Sequence, residues 1–292
     1  MIWQGDAAAS LKDVVNHLEP ERIATDRFRG RSLNLKWGYV FGGQFLAQAL
    51  AAAQQTVRED QAAHSVHGYF LQSGDERMPV TYQVERIRDG KSFATRRVDA
   101  TQDGRTVFTL SASFQREEAG LEHQDLMPKT SGPEGLLSQA QIGRNYMDSK
   151  PDAVGAQLSL ERAVEIRPVD PTGIPNPEAQ PPLLSVWYRA LGTLPDRPAL
   201  HRALLAYVSD INLLGAVMRP HGLTWVTPGM QSASLDHVIW FHRPFRMDEW
   251  LLFVMDSPSA SGARGLAHGR FFAQDGRLVA SAVQEGLIRI RT

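Results

Sequence analysis

The two halves of this 292-residue chain echo each other, and internal repetition restricts the architecture before any single residue is weighed. Gln102-Asp103-Gly104-Arg105 recurs as Gln274-Asp275-Gly276-Arg277, and at the same offset Gly90 falls on Gly262. In both copies an Asp-Gly pair separates two runs with strand character. These are Phe93 to Ala100 and Thr106 to Phe114 in the first, and Leu266 to Phe272 and Leu278 to Ile290 in the second. Asp-Gly between such runs marks a hairpin, because the turn needs residues that tolerate a left-handed backbone. Upstream of each hairpin the spacing predicts a helix, Gln44 to Gln54 and Leu204 to Met218, followed by a further strand, Ser65 to Leu71 and Ser232 to Phe241. Each half therefore reads as one helix with several antiparallel strands. That is an α+β pattern, in which a sheet wrapped around a central helix buries both.

Between about Arg116 and Pro182 the composition turns to Pro, Gly and charge, which reads as a connector. Ala163 to Val169 and Leu183 to Leu191 nevertheless have strand character. The expected division is an N-terminal domain over 1–116, a connector over 117–159 and a C-terminal domain over 160–292.

A formal net charge of −1 offers no overall field for nucleic acid or an anionic membrane surface. The chain has no cysteine, which removes disulfides, thiolate metal sites and cysteine nucleophiles together. Met1 to Asp6 carry no basic region followed by an apolar run, and no apolar stretch approaches a membrane span. A cytoplasmic protein is expected. His64 and His67, and likewise His237 and His242, are separated by odd spacings that point their side chains to opposite faces of a strand, so no shared metal is expected. Gly-x-Ser-x-Gly, Gly-x-Gly-x-x-Gly and P-loop patterns are absent, and no cofactor is expected.

Three polar residues stand out against apolar surroundings. Asp210 falls in an apolar row of the second helix, with Ala206 one turn before it and Leu213 and Leu214 one turn after. A carboxylate there is partly desolvated, which raises its pKa unless donors compensate. It is either a satisfied structural acid or a base. The first helix offers the neutral Gln44 at the corresponding place. Strict alternation along Ser232 to Phe241 sets Ser234 with Asp236, Val238 and Trp240, and His237 on the opposite face. In the last strand Gln284 follows Leu278, Ala280 and Ala282 on one face and must find buried partners.

Seven ordered blocks resemble the bacterial acyl-CoA thioesterase II family. They are Val40-Phe41-Gly42-Gly43-Gln44, His64 to Leu71, Arg88 to Phe93, Ser209-Asp210-Ile211-Asn212, Asp236-His237 with Trp240 to Phe245, Ala263-Arg264-Gly265, and Val283-Gln284-Glu285-Gly286. The resemblance implies a double hotdog fold, which accounts for the repeat, with one active site carried mainly by the C-terminal half. It implies a catalytic Asp, Ser or Thr, and Gln, falling on Asp210, Ser234 and Gln284. It also implies an acyl-CoA substrate and a homo-oligomer.

On that footing water is expected to attack the thioester carbonyl, with Asp210 as general base and Ser234 and Gln284 orienting the water. A variant with Ser234 as covalent nucleophile lacks a histidine base. Gly42 and Gly43 could admit the carbonyl oxygen to backbone amides, and Arg88, Lys91, Arg96, Arg97 and Arg264 are candidate contacts for the CoA phosphates. Two rival readings remain. A hotdog enoyl-CoA hydratase would want an Asp-His pairing on the helix, where Asn212 stands instead. A non-catalytic acyl-CoA binding protein would have no use for the buried acid.

Overall fold

A computed structural model describes residues 10–33, 38–150, 152–160, 162–171 and 177–291; the segment Met1 to Asp6 lies outside them. In chain order the first half runs α1 (Leu11–Leu18), β1 (Glu21–Ala24), β2 (Arg27–Gly30), α2 (Gly42–Gln54), β3 (Gln61–Phe70), β4 (Val80–Asp89), β5 (Phe93–Gln102) and β6 (Arg105–Arg116). Two short helices follow, α3 (Gln139–Ser149) and α4 (Ala153–Leu158). Then come β7 (Val164–Pro168), β8 (Leu183–Ala190), α5 (Pro198–Ser209), α6 (Gly215–Met218), β9 (Met230–Ser234), β10 (Asp236–Phe241), β11 (Leu251–Ser261), β12 (Arg264–Ala273) and β13 (Leu278–Ile290).

Thirteen strands make one antiparallel sheet in the order β1-β2-β4-β5-β6-β3-β10-β13-β12-β11-β8-β7, with β9 paired to β13. The halves join where β3 runs against β10, Val66 opposite Ile239. Both predicted hairpins form. Asp103 and Gly104 take the left-handed φ values of 47° and 72°, whereas in the second copy only Gly276 does so among the turn residues, at 90°. This is the double hotdog architecture that the repeat and the resemblance imply.

α2 lies inside the curl of its sheet, and its alanines explain how. Ala47, Ala49, Ala52 and Ala53 are fully buried; they favour the helix and present little bulk, so strands β3 to β6 close around it. α5 packs alongside α2, and α6 lies on β8, β11 and β12.

Two expectations need correction. The helix expected over Leu204 to Met218 is broken: α5 ends at Ser209, Asp210 is its C-cap, and Asn212 turns left-handed at φ 68°. Asn is among the few side chains that tolerate this conformation, so Asp210 sits at a helix end, not in a continuous apolar row. The strand expected over Ser232 to Phe241 carries a bulge. β9 pairs Ser234 with Gly286 while β10 pairs Val238 with Val283, so one extra residue intervenes on the β9–β10 side. The Pro-rich stretch between the halves holds α3 and α4, with Ser138 and Gln141 forming a reciprocal cap at the start of α3. Among the described residues no helix is long and apolar enough to cross a membrane.

Candidate active site

Asp210, Ser234 and Gln284 meet at one point, delivered by three different elements. Gln284 is fully buried on β13, as the alternation of Leu278, Ala280 and Ala282 requires. Its amide Nε2 donates to Asp210 Oδ1 at 2.6 Å and to Ser234 Oγ at 2.7 Å. Ser234 Oγ in turn lies 3.4 Å from Asp210 Oδ1.

Asp210 is brought there by the break after α5. Ile211 N–H donates back to Val208 O and Gly215 N–H to Asn212 O, closing a compact turn. Asn212 Nδ2 also donates to the buried Tyr188 hydroxyl at 3.0 Å. Leu214, in the same turn, rests on β13 over Gly286. The turn is thereby pressed down on the strand that carries Gln284.

The N-terminus of α2 closes the site from the other half. A β-carbon on Gly42 would fall 2.7 Å from Asp210 Oδ2 and 3.0 Å from Phe70 Cε1, and one on Gly43 would fall 2.3 Å from Tyr207 O. Two successive glycines are what let α2 approach the carboxylate so closely. Phe41 and Tyr207 meet edge to face at 5.1 Å between ring centroids, and Phe70 completes an apolar wall.

Burial pushes the Asp210 carboxyl above its ordinary pKa; hydrogen bonds from Gln284, from the Gly43 backbone and from Ser234 pull the other way without cancelling it. The group is therefore a stronger base than a surface carboxylate and remains anchored by its donors. The positive end of the α2 dipole faces it as well.

Gln44, the counterpart of Asp210 in the first half, is also buried but chemically spent. Its Oε1 accepts from Leu33 N–H at 2.9 Å, and its Nε2 faces Arg31 O and Ser32 Oγ at 3.4 and 3.3 Å. One half thus carries a buried carboxylate, and the other uses an amide to tie down a loop.

Alternation predicts His237 on the face away from Ser234. The bulge at Leu235 reverses that parity, and the ring is buried beside the three residues, Nδ1 3.9 Å from Asp210 Oδ1 and Nε2 2.9 Å from Ser209 Oγ. Strand periodicity gave no signal for it. The other histidines stand apart: His64 Nε2 pairs with Ser113 Oγ at 2.8 Å and His242 Nε2 with Ser281 Oγ at 2.9 Å.

The basic candidates separate. Arg96 is fully buried and structural, bonded to Thr56, to the carbonyls of Arg88 and Thr95, and to Asp89. Arg97 lies 3.6 Å from Asp99 and Arg264 3.0 Å from Glu285, both on the surface.

Against known proteins, residues 33–115 match the family model for the N-terminal domain of acyl-CoA thioesterases, and residues 176–287 match the acyl-CoA thioesterase model. Acyl-CoA thioesterase 2 of Haemophilus influenzae is 38% identical, with 96% of this chain and 98% of that protein aligned. Human acyl-coenzyme A thioesterase 8 is 39% identical over 98% of this chain and 91% of its own length. An acyl-CoA thioesterase II from Mycobacterium marinum, solved by crystallography, superposes with a TM-score of 0.76 at 38% identity, covering 96% of this chain and 99% of that one. With both halves matched and relatives aligned almost end to end, the chain belongs to the acyl-CoA thioesterase family.

Proposed function

We propose that this acyl-CoA thioester hydrolase cleaves fatty acyl-CoA by direct attack of a water held between Asp210, Ser234 and Gln284. The observation that carries the reading is the convergence of Gln284 Nε2 and Ser234 Oγ on Asp210 Oδ1, within 2.6 and 3.4 Å. Asp210 takes the water's proton as the new C–O bond forms, and its raised pKa suits it to that exchange. Gln284 and Ser234 fix the lone pairs of the nucleophile. The charge that builds on the carbonyl oxygen falls to the N-terminal turn of α2, which the small size of Gly42 and Gly43 leaves approachable. Collapse of the tetrahedral adduct breaks the C–S bond and releases CoA thiolate and the fatty acid, with the proton on Asp210 available to the thiolate.

A covalent route through Ser234 finds less support. The Nε2 of His237 is engaged with Ser209, and the base beside Ser234 is Asp210 itself. The hydratase reading finds no histidine at Asn212, whose amide is committed to Tyr188.

The reading includes the division at 1–116, 117–159 and 160–292, a cytoplasmic location, and assembly with further copies of the chain, which the exposed Tyr69 and Leu71 at the end of β3 would serve. Thiol release from a series of acyl-CoAs, compared between the native chain and Asp210→Asn at matched folding, tests it. Turnover in the native chain and its loss in the variant support the assignment. Acyl-CoA binding without thiol release would turn the reading to a binding protein.

A further inference from the structure

His237 has no part in the mechanism above, yet it is wholly buried against the residues that do. Its Nδ1 has no hydrogen-bond partner, and Gln284 has the matching deficit, since its Oε1 is also buried without one. The two residues face each other. Carrying the Val238–Val283 pairing one step along the antiparallel ladder sets His237 opposite Gln284. Buried polar atoms are rarely left unpaired, and here one proton satisfies both.

We propose that His237 is a positioning residue for Gln284: its Nδ1–H donates to Gln284 Oε1 while its Nε2 accepts from the Ser209 hydroxyl, which locks the amide with Nε2 towards Asp210 and Ser234. The role deepens the reading of Gln284 as the group that orients water, and rests on it.

The other arrangements fare worse. If Nε2 carried the proton it would donate to Ser209 Oγ, whose hydroxyl would then turn to Ala206 O, 3.0 Å away. That leaves the Nδ1 lone pair and Gln284 Oε1 as two buried acceptors with no proton between them. Rotating the amide by half a turn would satisfy Nδ1, but it would put Oε1 at the place now 2.6 Å from the Asp210 carboxylate oxygen. A doubly protonated ring would satisfy every partner, but burial holds the His237 pKa down to about 3. The neutral Nδ1–H tautomer leaves no buried acceptor opposed to another, and it gives up only the contact between Ser209 and Ala206.

The geometry begins with the bulge at Leu235. An unbulged strand would turn either Ser234 or His237 outward; the extra residue lets both face Gln284.

Two measurements test the proposal. The imidazole nitrogen and carbon resonances of His237, assigned by comparison with His237→Asn, report the tautomer in the native chain; Nδ1–H is expected, and Nε2–H overturns the positioning role. In the kinetics, Asn places an amide N–H where Nδ1 stood, so His237→Asn is expected to keep kcat within about 5-fold, whereas His237→Leu loses about 30- to 100-fold in kcat with KM little changed. Equal kcat in the two variants overturns the proposal, and should the Leu variant fail to fold, the tautomer decides alone. Full turnover in Gln284→Ala would sink the catalytic reading of Gln284, and the positioning role with it. An Nε2–H tautomer would sink the positioning role alone.

Discussion

Leu214 occupies the space that a β-carbon on Gly286 would need: an ideal Cβ there falls 2.3 Å from Leu214 Cδ1 and 3.2 Å from the Ala233 carbonyl oxygen. Gly286 is two residues beyond Gln284 on the same face of β13, and Leu214 is in the turn that begins at Asp210. The glycine thus sets how closely carboxylate and amide approach. Gly286→Ala is expected to lower stability by about 1–3 kcal/mol through overpacking, and to cost more in kcat than in KM as Asp210 lifts away from Gln284. Leu214→Ala in the same chain should recover part of both losses. Additive effects in that double-mutant cycle would show that the contact does not couple to the site.

With Asp210 as the proposed base, the acid limb of the kcat/KM profile is expected to report its titration. A general base works deprotonated, so activity falls as pH drops through its pKa, and burial sets that limb above the value of an exposed carboxylate. Around the group stand Gln284, Ser234, the Gly43 amide, His237 and Tyr39, none of them a cation at neutral pH. Gln284→Glu would set a second carboxylate where the amide nitrogen now lies 2.6 Å from Oδ1. Like charges that close make one proton harder to remove, so the limb should move up by about 1–3 pH units. An unmoved limb would mean that the titrating base is another group.

Much of this site is legible in the sequence, and the failures have local causes. The period of Leu278, Ala280, Ala282 and Gln284 survives intact because β13 alternates regularly through that stretch, and Gln284 is fully buried as that pattern requires. Asp210 stands out because a carboxylate sits among apolar residues, although the helix around it does not run on. Asn212 was available as a breaking signal but is outweighed by the apolar spacing of Leu213, Leu214 and Val217. Alternation misplaces His237 because one inserted residue inverts a period of two, and nothing in Ser232 to Phe241 announces a bulge. α3 was hidden by surrounding prolines, although Ser138 and Gln141 spell a capping box.

Arg96 separates structural charge from substrate-binding charge. Its guanidinium lies inside the sheet, donating to Thr56 Oγ1 at 2.8 Å and to the carbonyls of Thr56, Arg88 and Thr95 at 3.0 Å each. Arg96→Met keeps much of the volume but strands those acceptors, and should cost about 2–4 kcal/mol in urea unfolding. KM for acyl-CoA should not change. A raised KM at undiminished stability would return Arg96 to the CoA-binding candidates.

His237 also makes the fold sensitive to acid. Burial lowers its folded-state pKa from 6.5 to about 3, so between those values the unfolded chain binds a proton that the folded chain refuses. Stability is therefore full above pH 6.5 and is lost as pH falls through that window. Asp210 Oδ1, 3.9 Å from Nδ1, would attract an imidazolium, but the carboxyl is itself buried and driven towards its neutral form. Ser209 and Gln284, the other partners, carry no charge. His64, His201 and His242 are lowered too, so the native chain alone cannot isolate the effect, whereas a difference between chains can. From pH 7 to pH 5 the native chain should lose about 2 kcal/mol more than His237→Asn, because one pKa unit corresponds to about 1.4 kcal/mol. Parallel losses in the two chains would mean that the ring protonates in place, with Asp210 accepting the charge.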